Sequence, residues 1–262
     1  MNSDIIIRGN LKDLYKDIYT QESLAALSAL ANFNNDIKSV MAARLTRRAE
    51  RQQKKLRIAF LEPDMLIPRT KIKVKDAREG KFEGAIIPQD LQRQWIQGTG
   101  PAAKPNAPIE TSIRNVAYAL LSGADGWMFD GEDALGQINS MSLDNQRNLK
   151  LAIHKEPVFM EAAEKVAGEM NAWSKGFLHR EIISDWKEQL NFTTKIFRAR
   201  GLHLDDRHIR DNYGVAMAAS IVDVALYVTN NYKALQNAGS SIVLYLPKIQ
   251  TAEEAALWNE ML

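Results

Sequence analysis

At 262 residues, with 45% hydrophobic and 25% charged residues, the sequence has the composition of an ordinary globular protein, long enough for one large domain or two small ones. A formal net charge of +2 provides no overall field to recruit nucleic acid or an anionic membrane, and a pI near 8.6 does not oppose small acidic molecules. The absence of cysteine excludes disulfides, thiolate metal sites and a cysteine nucleophile, and it fits a reducing compartment, so the expected location is cytoplasmic.

The first apolar run, Ile5-Ile6-Ile7, is too short for the hydrophobic region of a signal peptide, and no later stretch approaches a membrane span. Leu24, Leu27, Ala31, Ile37, Met41 and Leu45 recur on one helical face, which predicts a long helix behind Thr20 as cap. The tail of that helix, residues 44–57, carries seven basic residues (Arg44, Arg47, Arg48, Arg51, Lys54, Lys55 and Arg57) against the single acid Glu50. Without interleaved aromatics it reads as a solvated face or an inter-subunit contact rather than a nucleic-acid stripe. Residues 61–100 are broken by Pro63, Pro68 and Pro88 and predict irregular chain around one short strand, residues 84–87, ended by Pro88.

A helix-then-strand rhythm follows. Ile113, Val116, Ala117, Leu120 and Leu121 mark an amphipathic helix closed by Gly123, and a strand over residues 126–129 runs into Asp130-Gly131-Glu132-Asp133. Three carboxylates within those four residues repel one another unless a cation or basic groups face them. Helices are expected over residues 144–153, 157–173 and 180–190. A strand over residues 192–197 then ends in Arg198-Ala199-Arg200-Gly201-Leu202-His203-Leu204-Asp205-Asp206-Arg207-His208, and this spacing predicts that Arg200 stands at the strand's carboxyl end. Residues 215–236 predict another long helix, residues 241–245 a buried strand stopped by Pro247, and Thr251-x-x-Glu254 a capping box opening a final helix.

Strands alternating with helices argue for parallel pairing, and acidic and basic strand ends together suit a metal-assisted site for an anionic substrate. The fold class expected is α/β with a parallel sheet, which is either open and small or a piece of something longer. Some four strands are countable where a closed barrel needs about eight. Nothing in the sequence supplies a Gly-x-Gly-x-x-Gly or Walker-type phosphate loop. His154, His179, His203 and His208 are not spaced as a zinc site, and the five tryptophans read as core or interface.

Several segments in order resemble malate synthase: Tyr19-Thr20-Gln21-Glu22-Ser23-Leu24; Ile86-Ile87-Pro88-Gln89-Asp90-Leu91; a Thr99-Gly100-Pro101 turn; Phe129-Asp130-Gly131-Glu132-Asp133; Arg200-Gly201-Leu202-His203-Leu204-Asp205; and Tyr245-Leu246-Pro247-Lys248. The resemblance covers nearly the whole chain as the amino-terminal half of that enzyme. It implies a TIM (β/α)8-type barrel, of which only about the first half (81–262) is present behind an amino-terminal helical and irregular segment (1–80), and condensation of acetyl-CoA with glyoxylate to malate and free CoA. Mg2+ would hold glyoxylate, an aspartate would take a proton from the acetyl methyl group, and an arginine would stabilise the enolate oxygen. On that resemblance Arg200 matches the arginine. Asp130, Glu132 and Asp133 match the acidic strand end near the metal, His203 and Asp205 are supporting candidates, and Asp206, Arg207 and His208 are left on the surface. The two direct metal ligands and the catalytic aspartate would lie beyond Leu262, so the chain as given is expected not to complete the reaction alone.

Gly131, Leu202 and Gln250 depart from residues common in the family at those positions, which puts the substrate's identity in question. Two other readings stand beside the first. One is a related carbon-carbon lyase or aldolase acting on another CoA ester or 2-oxo acid. The other is a non-catalytic half-barrel that self-associates through its open edge.

Overall fold

The computed structural model describes residues 5–99, 107–132 and 141–262. After a short strand β1 (Ile6–Ile7) and a single helical turn α1 (Leu11–Leu14), the predicted long helix forms in two pieces, α2 (Gln21–Leu30) and α3 (Asn34–Gln53). A 3₁₀ turn, Ala31–Phe33, tightens the chain between them. Thr20 caps α2 as expected, its hydroxyl accepting from the Ser23 N–H at 3.2 Å.

Residues 84–87 do not form the expected strand. Ile86 and Ile87 are exposed, and the chain there is irregular after the short helix α4 (Val74–Arg78). The first parallel strand is instead β2 (Trp95–Thr99). From there the expected alternation holds: α5 (Ile109–Leu120), β3 (Gly126–Asp130), α6 (Met141–Ile153), α7 (Pro157–Leu178), α8 (Trp186–Phe192), and β4 (Thr194–Arg198). The helix expected over residues 180–190 shrinks to α8, which begins where Asp185 accepts from the Lys187 and Glu188 N–H groups. Two further strands, β5 (Asp205–Arg210) and β6 (Ala216–Ala218), follow, then α9 (Ala219–Asn237), β7 (Val243–Tyr245) and α10 (Ala252–Met261).

β2, β3, β4 and β7 form one sheet in that order, every pairing parallel. This is a partial barrel: parallel strands, helices between them, and edges at β2 and β7. β1, β5 and β6 form a separate antiparallel sheet that ties the amino terminus to the segment after residue 205. Asn34 fastens α3 to the same sheet, its side chain donating to the Ala216 carbonyl and accepting from the Ala218 N–H.

Side chains of one strand alternate between two environments. Phe129 and Phe197 enter the core formed with α5, α6, α7 and α9, where Phe197 stacks on Tyr227 at 4.6 Å. Met128 and Ile196 are equally buried but point to the other face. Asp130 and Arg198 share that face by parity, since they lie two residues further along the same strands. Burial of each large apolar side chain in the helix-facing core contributes about 1.5–3 kcal/mol, which makes this layer the rigid support of the strand ends. Of the tryptophans read as core or interface, Trp258 is fully buried in it, whereas Trp95 and Trp173 are exposed. β7 is half-exposed rather than buried, because it is the last strand of its sheet.

Candidate functional site

In the parallel register Thr99, Asp130, Arg198 and Tyr245 stand side by side at the carboxyl ends of the four strands. Arg198 donates to the Asp130 carboxylate at 2.9 Å, both side chains being buried, and its guanidinium lies over the Tyr245 ring. The other Asp130 oxygen accepts from the Glu132 N–H at 2.9 Å, a local turn that fixes where Glu132 departs from the strand. Gly131 N–H continues the ladder to the Arg198 carbonyl. A Cβ on Gly131 would lie 2.8 Å from that carbonyl oxygen, so only glycine lets the two strand ends approach this closely. The departure seen in the sequence at Gly131 thus has a structural cause.

Glu132 is a buried carboxylate at the centre of a second group. One oxygen accepts from the Gly201 N–H, and the other faces the Lys248 ammonium at 2.9 Å and His203 Nε2 at 3.4 Å. Lys248 reaches it from the turn after β7 with a left-handed backbone, φ 56°, a conformation that costs a non-glycine residue about 1–2 kcal/mol. That turn is held from below. Arg44 donates to the Lys248 carbonyl and to Glu254 of α10, and Glu254 also accepts from the Gln250 N–H. The basic tail of α3 therefore begins with an internal anchor, and Thr251 caps α10 as expected.

A third group surrounds Arg200. Its backbone N–H, Nε and one terminal nitrogen all donate to Asp223 of α9, at 2.7–3.1 Å, and the same terminal nitrogen donates to Asp206 at 2.9 Å. All three residues are buried. Burial disfavours the guanidinium charge, and the two carboxylates outweigh it, holding the Arg200 pKa above its ordinary value. Two carboxylates share one cation here, and their surroundings separate them. Burial pushes the Asp223 carboxyl up despite Arg200. Burial also acts on Asp206, but Arg200 and the His208 and Ile209 N–H groups overcome it and hold that carboxyl below the usual range.

The structure therefore sorts the predicted site residues. Asp130 and Glu132 stand at one strand mouth, with His203 beside Glu132. Arg200 is buried and donates to Asp223 and Asp206. Asp206, expected on the surface, is buried as its partner: tertiary pairing, not local polarity, decides its position. Asp205 is exposed and pairs with Lys38. Asp133 lies outside the described residues, as do Gly100 and Pro101 of the predicted turn. Arg198 and Lys248 carry the positive charge at the mouth, and sequence reasoning assigned neither a role. Strand parity was the missing signal for Arg198, since a strand ending at that residue puts it on one face with Ile196.

Among the described residues no group of three His, Asp or Glu side chains could hold a metal ion. Asp130 and Glu132 each have both oxygens engaged by Arg198, Lys248, His203 or backbone N–H groups, so this donor set does not by itself fit Mg2+. Among the described residues, too, no helix is long and apolar enough to cross a membrane.

Parallel strands with intervening helices and an ionic cluster at their carboxyl ends define part of a TIM-type α/β barrel. Residues 194–262 match the family model for the malate synthase TIM-barrel domain. Over 94% of its length the chain is 30% identical to malate synthase A of Escherichia coli, of which it covers 39%. Over 98% it is 27% identical to malate synthase of Dictyostelium discoideum and 29% identical to that of Myxococcus xanthus, covering 40% of each. The chain belongs to the malate synthase family, and it spans about two-fifths of the length of the curated relatives it matches.

Proposed function

We propose that this chain contributes the first strand ends of a site that condenses acetyl-CoA with glyoxylate to give malate and CoA. The observation that carries the reading is the pairing of Arg198 with Asp130 at the carboxyl ends of adjacent parallel strands, beside Glu132, in a chain of this family. In the reaction the acetyl methyl group loses a proton, its carbon bonds to the aldehyde carbon of glyoxylate, and water cleaves the thioester to release CoA.

Arg198 is the residue placed to meet the negative charge that develops on the thioester oxygen. A guanidinium stays charged at any working pH and offers forked donors to such an oxygen. Asp130 orients it. Arg200, matched to this role by the sequence resemblance, acts instead as a positioning residue: its clamp on Asp223 sets the turn whose Gly201 N–H holds Glu132. Mg2+ belongs to the reading only with ligands from outside the described residues, as does the base. Cytoplasmic location remains part of the same proposal.

The test is CoA release from acetyl-CoA, followed with a thiol reagent. The 262 residues contain no cysteine, and a control without glyoxylate subtracts any thiol that the extension adds. Glyoxylate-dependent release is expected from the chain extended through its gene beyond residue 262 and not from the 262 residues alone. No release by the extended form, with Mg2+ supplied, would reject the activity.

A further inference from the structure

At the opposite, amino-terminal end of the strands lies a cavity of about 230 Å3 between β4, α6, α8 and α9. Its walls are mainly apolar, with Leu120, Ile153, Leu190 and Leu235 prominent, and its polar lining includes Lys195, Lys155, Asn191 and Ser240. Lys195 is the second residue of β4, and strand parity points it toward the helices rather than the barrel interior. Its ammonium donates to the Leu190 carbonyl at the cavity wall. Among the described residues no carboxylate lies within ion-pair distance of it.

The charges that act on Lys195 are those of Lys155 and Arg93, both cations. Burial first, and these neighbours second, push its pKa down to about 8. Lys155 stands on the turn between α6 and α7, and Arg93 is engaged at the Phe192 carbonyl and ring. A cationic group in an apolar cavity with no internal counter-charge is an electrostatic debt that a bound anion removes.

We propose that this cavity binds a short-chain monocarboxylate, its carboxylate held by Lys195 and Lys155 and its hydrocarbon tail packed against Ile153 and Leu235. The volume suits such a ligand, since cavities of about 150 Å3 already accept benzene. The apolar walls select against a dianion such as phosphate, whose hydration they cannot replace. The site lies at the end of the strands remote from Arg198 and does not depend on the reaction assigned there.

Isothermal titration of the intact chain at pH 7 with sodium hexanoate tests this, with hexan-1-ol, inorganic phosphate and sodium chloride at matched ionic strength as comparisons. Saturable binding of hexanoate is expected, at least tenfold tighter than that of hexanol or phosphate. Lys195→Met is expected to weaken it at least tenfold. Ala234→Met, which fills the cavity without touching the charge, is expected to abolish it and serves if the lysine variant fails to fold. No saturable hexanoate binding, equal binding of hexanol, tighter binding of phosphate, or hexanoate binding unchanged in a folded variant would each overturn the proposal.

Discussion

Removing Asp223 gives the sharpest reading of the buried cluster behind the strand ends. Asp223→Ala takes the acceptor from three donors of Arg200 at once: its backbone N–H, its Nε and one terminal nitrogen. The guanidinium is not stranded, because Asp206 remains at 2.9 Å. The loss is therefore smaller than the ~3–5 kcal/mol of a buried charge left without a partner. It is larger than one neutral hydrogen bond, because an unsatisfied buried N–H alone costs about 1–3 kcal/mol. Relief of the desolvation that pushes Asp223 up offsets part of this. A net loss of about 2–3 kcal/mol follows from the difference of these effects. Urea unfolding followed by tryptophan fluorescence measures it. The double variant Arg200→Met/Asp223→Leu also takes from the buried Asp206 carboxylate the cation that faces it, and is therefore expected to be less stable than Asp223→Ala. A loss below about 1 kcal/mol for Asp223→Ala, or a double variant at least as stable as the single one, would refute the cluster's assigned energetics.

Other outcomes follow from the same structure. Lys195 has a folded pKa of about 8 against an unfolded value near 10.5, so the unfolded chain binds its proton more tightly between those limits. Stability is therefore expected to rise from pH 8 to pH 10.5 by up to about 3 kcal/mol and to be missing below pH 8, and Lys195→Met is expected to remove the rise in a comparison of urea midpoints. Gly131→Ala places a methyl group against the Arg198 carbonyl and is expected to destabilise by about 1–3 kcal/mol by the same assay. Ile86, Trp95, Ile96 and Tyr245 leave the two outer strands of the parallel sheet, and the chain beside them, with exposed apolar surface, so light scattering is expected to show the 262-residue chain associating rather than remaining monomeric.

The alternation of helices and parallel strands was legible because glycines and caps punctuate it. Gly123 before β3, Thr20 before α2 and Thr251 before α10 each act through backbone conformation or a local hydrogen bond, and such signals need no tertiary context. β2 was not legible. Trp95-Ile96-Gln97-Gly98-Thr99 lacks alternation and contains a glycine, while Ile86-Ile87 before Pro88 has the apolar content of a strand without a partner to pair with. β5 was hidden by its charges: of Asp205-Asp206-Arg207-His208-Ile209-Arg210, Asp206 and Ile209 are the residues that turn inward. The position of Asp130 and Glu132 at a strand end was legible because an acidic cluster follows an apolar run directly. The pairing of Arg200 was not legible, because its partner Asp223 lies 23 residues further on in α9.

The most direct measurement is the turnover of glyoxylate-dependent CoA release by the gene-extended chain, comparing Arg198→Lys with Arg200→Lys in folded, equally loaded preparations. The account predicts that Arg198→Lys lowers kcat at least a hundredfold with little change in unfolding midpoint, whereas Arg200→Lys acts mainly on stability. Near-normal turnover in Arg198→Lys would contradict the placement of the reacting charge at the Arg198–Asp130 strand ends.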